Sequence, residues 1–171
     1  MEHDQEVMKI LARRTASGTL RSRESNTVEF KQSFNKGNTP AYAKTMAAYA
    51  NNSGGYIIFG IMDAPRNIIG LKNDNFDNLK QEQFTDALNA LFAPAIEWEM
   101  GTVTLAEKQE DANGTLVTDL KKIGWIYASE SEFKPVIAQK DNNSENISAG
   151  DVFYRYRATN GKIKSAEMER I

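Results

Sequence analysis

The sequence predicts an α+β domain in which a mixed β-sheet packs against helices. Three observations carry this prediction. Beyond an N-terminal helix, helical and strand periods follow one another in the order β-α-β-β-α-β-β-β-β-α, with no internal repeat and no interdomain linker. The stretch YIIFGI (56–61) is apolar on both sides of its alternation, as a central strand covered on both faces is. The second half of the chain is rich in short alternating runs separated by polar loops.

Each element has a local reason. Residues 4–17 read as a helix that Asp4 caps, with Val7, Ile10 and Leu11 on one face and Gly18 as the stop. TVEFKQSF (27–34) alternates as a strand, Val28 and Phe30 opposing Glu29 and Lys31. NKGNTP breaks the chain, and Thr39 caps a helix whose first position is Pro40. In that helix Tyr42, Met46 and Tyr49 fall on one side, while Ala43, Ala47 and Ala50 permit close approach to a sheet. Asn51 and Asn52 fray its end, and Gly54-Gly55 supply a left-handed stop. After the central strand, DAPRN turns and IIGL returns as a short strand. A helix over about 78–92 aligns Phe84, Leu88, Leu91 and Phe92 and halts at Pro94. IEWEM is a strand, and Gly101 marks a bulge because Val103 and Leu105 are out of step with Ile96 and Trp98. KIGWIYA, PVIAQ and DVFYRYR are further strands, and SAEMERI reads as a closing helix.

Composition bounds the chemistry. A chain of 171 residues has room for one domain with a sizeable core. It holds no cysteine, which excludes disulfides, thiol catalysis and zinc-finger ligation, and its one histidine, His3, lies near the start. The net charge of -2 requires any nucleic-acid binding to use a local basic patch. The chain shows no apolar run long enough to span a membrane, and its first ten residues are acidic rather than signal-like. The expectation is a cytoplasmic domain without membrane contact. The helix-like end without a stop signal suggests a piece of a longer protein.

The glycines of AAYANNSGGYIIFGIMD (47–63) match neither a Walker loop nor a dinucleotide fingerprint. They follow a helix rather than precede one, where the dipole repels phosphate. Their reading is architectural: Gly54-Gly55 for a turn, Gly60 for close approach. Asp63 follows the central strand, Glu29 and Lys31 share a strand face, and Glu24 lies five residues before Glu29. Three carboxylates and a lysine suit a Mg²⁺ or Mn²⁺ ion and a scissile phosphate. A surface Glu29–Lys31 pair with Asp63 as a turn residue fits the same spacing. Arg13, Arg14, Arg21 and Arg23 fall in a stretch without acids and read either as a solvated helix end or as a phosphate-facing arm. In DVFYRYR, Phe153, Arg155 and Arg157 alternate with Val152, Tyr154 and Tyr156. This pattern fits base stacking with phosphate binding. It fits equally a core of tyrosines with arginines paired to Glu29 or Asp63 inside the protein.

Taken together, ESNTVEFKQSF, KTMAAYANNSGGYIIFGIMD with NIIGL, KPVIAQ, and GDVFYRYRATNGKIKSAEMERI resemble the Schlafen AlbA-type domain over residues 24–171. The resemblance divides the chain into an N-terminal helix and basic arm (1–23) and this domain (24–171), the N-terminal part of a longer protein. It implies a DNA- or RNA-binding domain of a bacterial-type regulatory or defence protein. It also raises an alternative, a metal-dependent endoribonuclease acting on tRNA or rRNA, with Glu24, Glu29, Asp63 and Lys31 in the positions of the family's carboxylates and lysine. A third reading is an interaction module without nucleic acid. Two lobes form a clamp in Schlafens, so one copy implies a homodimer. No nucleotide cofactor and no ATP hydrolysis are expected. The expected nucleic-acid contacts are Arg13, Arg14, Arg21, Arg23, Lys31, Arg155 and Arg157.

Overall fold

A computed structural model describes residues 2–63, 65–163 and 168. The closing helix expected at the C-terminus lies almost wholly outside them. The centre is a four-stranded sheet of β1 (Val28–Lys31), β2 (Gly55–Phe59), β7 (Leu116–Ala128) and β6 (Trp98–Glu110), in the order β1-β2-β7-β6. β1 and β2 run parallel, joined by helix α2 (Thr39–Ala50), while β2–β7 and β7–β6 are antiparallel. Short two-stranded pieces surround it: β3 (Ile61–Met62) with β4 (Asn67–Ile68), β5 (Phe92–Ala93) with β8 (Ile137–Ala138), and β9 (Phe153–Tyr156) with β10 (Thr159–Lys162).

The apolar run on β2 serves two cores, as expected of a strand covered on both sides. Ile57 and Phe59 pack with α2 and with helix α3 (Gln81–Leu91). Tyr56 and Ile58 pack on the other face with Val7 and Leu11 of helix α1 (Glu2–Ala12). The same duality removes the bulge expected at Gly101. β6 pairs with β7 without interruption from Trp98 to Glu110. Trp98 and Met100 pack against the α2 core, and Val103 and Leu105 against the α1 core, so the change of phase is a change of covered face. Gly101 is required for another reason: a Cβ there would lie 2.5 Å from the Trp125 ring.

Two other expectations change. α1 ends at Ala12 rather than near residue 17. The arm doubles back through a turn at Gly18 (φ +88°), so that Arg21 donates its N–H to the Arg13 carbonyl. The apolar run also does not continue as one strand to Ile61. Gly60 adopts φ +110°, and β3 leaves the sheet to pair with β4. A side chain at Gly60 would meet Ile123 at 2.9 Å and the Gly70 backbone at 3.1 Å. Among the described residues, no helix is long and apolar enough to cross a membrane.

Candidate nucleic-acid interface

Glu29 projects from β1 toward the α2 side of the sheet, opposite Val28 and Phe30. There Arg155 of β9 reaches it, with Nη2 3.0 Å from Oε1 and only 1% of the arginine side chain exposed. Arg155 also donates to the carbonyls of Ser25 and Val28 and to Asn160 Oδ1, and its guanidinium lies over the Tyr49 ring. Lys31 Nζ stands 3.4 Å from Glu29 Oε2. Glu24 joins from the preceding loop, accepting the Phe30 N–H at 3.1 Å and hydrogen-bonding Glu29.

The two carboxyls titrate apart because their surroundings differ. Burial, reinforced by the hydrogen bond to Glu29, pushes Glu24 up to about 7. Burial acts the same way on Glu29, but the Glu24 hydrogen bond, Lys31 and Arg155 together hold it below its ordinary value. Near neutral pH the pair therefore carries a proton between its members. Its one negative charge faces two cations, Arg155 and Lys31.

Asp63 does not join this pair. After Gly60 the chain turns into the β3–β4 ribbon, whose Ile61 and Ile68 pack into the α1 core, on the opposite face of the sheet from Glu29. Asp63 ends exposed in the ribbon's turn. Among the described residues, no three metal-ligating side chains converge. Of the expected set, Glu24, Glu29 and Lys31 are brought together, and Asp63 stands apart from them.

The residues of the glycine-rich signature have packing roles. Asn51 is fully buried and continues the structure beyond α2 rather than fraying it. Its amide donates to the Val136 and Phe153 carbonyls, and its carbonyl oxygen accepts the Val136 N–H at 2.7 Å. Asn52 bonds the Arg155 carbonyl and accepts from the Tyr154 hydroxyl. Gly54 takes φ +79° and donates to the Tyr49 carbonyl. A Cβ on Gly55 would sit 2.6 Å from the Tyr49 ring. The signature thus ties α2 to β9 and to the Lys134-Pro135 segment. Polar asparagines inside an otherwise apolar run were the signal for this clamp.

The expected basic residues divide into two groups. Arg155 is interior, and Phe153 lies inward with it, while Tyr154 is half-buried and Tyr156 exposed. The tyrosines are therefore not the core side of β9. Arg14 is held by Glu107 at 2.6 Å and by the Leu11 carbonyl, and Lys31 answers to Glu29. By contrast Arg13, Arg21, Arg23 and Arg157 are exposed and make no ion pair among the described residues. Arg66, overlooked in the sequence, sits in the β3–β4 ribbon beside the arm, its carbonyl accepting the Leu20 N–H. Two clefts flank the loop at 23–27. One, of about 600 Å³, lies between α1 and the sheet and includes Arg13 and Arg23. The other, of about 460 Å³, includes Glu24, Asn26, Tyr154 and Arg157.

The model of the Schlafen, AlbA_2 family matches residues 24–164. The chain belongs to this family. The chain is 61% identical over 170 residues to an "Uncharacterized ATP-binding protein" of Ureaplasma parvum serovar 3, a match covering 99% of this chain and 48% of that protein. It therefore spans about half the length of that relative. Among solved structures it resembles the DIP2311 protein from Corynebacterium diphtheriae, with a TM-score of 0.54 and 16% identity over 99% of this chain and 32% of that one. The N-terminal domain of a RecG-related protein from Nitrosomonas europaea aligns with a TM-score of 0.46 and 17% identity, over 83% of this chain and 84% of that one. The likeness to the Corynebacterium protein concerns the fold alone.

Proposed function

We propose that this Schlafen AlbA_2 domain binds nucleic acid through phosphate contacts along one basic border of the molecule. The border runs from Arg21 and Arg13, across Arg23 and the loop at 23–27, to Arg157. The observation that supports it is the convergence of exposed arginines, without ion pairs among the described residues, on two adjoining open clefts. Family membership and the α+β fold agree with a nucleic-acid-related role. Glu24 fits the same reading. Protonated up to about pH 7, it presents an uncharged wall to a passing phosphate. The ATP binding in the Ureaplasma relative's name belongs to a protein about twice as long.

The test is a gel-shift titration of DNA and RNA fragments across a range of salt concentrations. Phosphate-dominated binding weakens linearly in log–log form as salt rises. Charge reversal at Arg13 and Arg23 together should weaken every sequence alike and flatten that slope. Binding that is indifferent to salt, or unchanged in the double variant, would refute the reading.

A further inference from the structure

We propose that the cleft between α1 and the sheet is a subsite for one unstacked nucleotide unit, with its base at the histidine end and its phosphate at the arginine end. This rests on the nucleic-acid reading above and narrows its ligand to single strands or free nucleotides.

The cleft carries a charge gradient set by the helix. Glu2, Glu6, Lys9 and Arg13 all line it. Glu2, Glu6 and Lys9, four and three residues apart, share one stripe of α1 about 10 Å long, and Arg13 follows directly after the helix ends at Ala12. The series begins with two acids and ends with two bases. Arg23 from the arm adds a third cation at the basic end. Neither Lys9, Arg13 nor Arg23 forms an ion pair among the described residues.

The acidic end is also the aromatic end. Tyr56 and Tyr127 lie there with ring centroids 4.7 Å apart. His3 stacks on Tyr127 at 4.3 Å and is fixed at both ring nitrogens, by the Tyr56 hydroxyl at 2.6 Å and by Glu99 at 2.7 Å. Burial raises both tyrosine hydroxyls above their ordinary values, so they remain neutral. An aromatic wall suits a base of any identity. The glutamates accept hydrogen bonds and suit an exocyclic amine. The same glutamates repel phosphate, which sets the ligand's direction: phosphate toward Arg13 and Arg23, base toward Tyr127. A duplex keeps its bases stacked and offers only its backbone to such a cleft.

The experiment compares three labelled probes with the full chain by fluorescence anisotropy: a short oligo(dA) strand, an abasic strand of equal length, and a duplex. The oligo(dA) strand should bind about tenfold tighter than the abasic strand, as one aromatic–base contact implies. Tyr127→Leu should remove that difference while leaving abasic binding in place. Tyr127 is half-buried, so a second variant at an exposed position guards against loss of folding. Glu6→Lys should tighten the abasic strand and abolish the advantage of the bases. Competition by free adenosine monophosphate separates the two sources of the ligand. Displacement assigns the site to free nucleotides as well as strands; failure to displace, with the oligo(dA) advantage intact, assigns it to strands alone. Equal affinity for oligo(dA) and abasic strands overturns the subsite while leaving the phosphate-binding border standing. Failure of all three probes to bind overturns both.

Discussion

Arg155 and Arg13 carry the same charge in opposite situations. Arg155 lies inside a knot of β1, α2 and β9, with every group near it already engaged: a carboxylate, two carbonyls, an amide and a tyrosine ring. Arg13 lies on the rim of an open cleft and is engaged by its backbone alone among the described residues. The difference separates holding the fold from meeting a ligand. A buried cation with a full set of partners is costly to remove and has nothing left to offer a phosphate. An exposed one contributes little to stability and keeps its whole field for what approaches it.

The sharpest way to break this division is to remove the buried charge. Arg155→Leu should destabilise the domain by about 3–5 kcal/mol in denaturant unfolding, because Glu29 is left buried without its main partner. Salt-dependent nucleic-acid affinity of the remaining folded protein should stay near wild type. A stable variant that fails to bind would move Arg155 to the ligand side.

Asn51→Ala probes the same knot without touching a charge. It strands two carbonyls and one N–H in the interior and should lower stability by about 2–4 kcal/mol. The measurement is the midpoint of urea unfolding at constant m-value. A loss under about 1 kcal/mol would mean that water replaces the amide and that the clamp is weaker than its geometry implies.

On the open side, Arg13→Glu with Arg23→Glu should cost at least about tenfold in affinity at low salt, with a melting temperature within experimental error of wild type. A clear drop in melting temperature would show that the rim also supports the fold.

The smallest effect concerns Glu24, at the boundary of the two regions. Its folded value of about 7 exceeds the ordinary 4.5, so folding takes up a proton there. That contribution is fully present below about pH 4.5 and is lost as pH rises to about 7. Glu24→Gln mimics the protonated acid. Its stability should match wild type in acid and exceed it slightly at pH 8. A difference that does not vary between those limits would place the titration elsewhere.

The sequence revealed most where burial leaves a period. α2 and β2 were legible because Tyr42, Met46 and Tyr49, and then four apolar residues in a row, admit few other arrangements. The outer half of the β6–β7 hairpin was not legible. Its residues face solvent on both sides, and Leu116 and Leu120 remain 66% exposed, so pairing alone defines the strands. The pairing of Glu29 with Arg155 was one of two open readings, and no spacing decides between an arginine at a surface and one in a core. Asp63 was misplaced because a single glycine conformation at Gly60 redirects the chain, and glycine tolerates both directions. The cleft under α1 was missed because its wall is assembled from His3, Tyr56 and Tyr127, which are far apart in the chain.

The Asn51 clamp also fixes when this domain can finish folding as it is made. Asn51 must wait for Phe153, which follows 102 residues later. At ribosomal speeds of about 5–20 residues per second, that wait lasts roughly 5–20 s. Throughout it α2 has formed its apolar side but lacks the strand that covers it, and the parallel pairing of β1 with β2 must persist without β9. The nascent chain thus emerges with its most hydrophobic helix uncovered, which makes the synthesis of residues 51–153 the interval in which chaperone capture matters most.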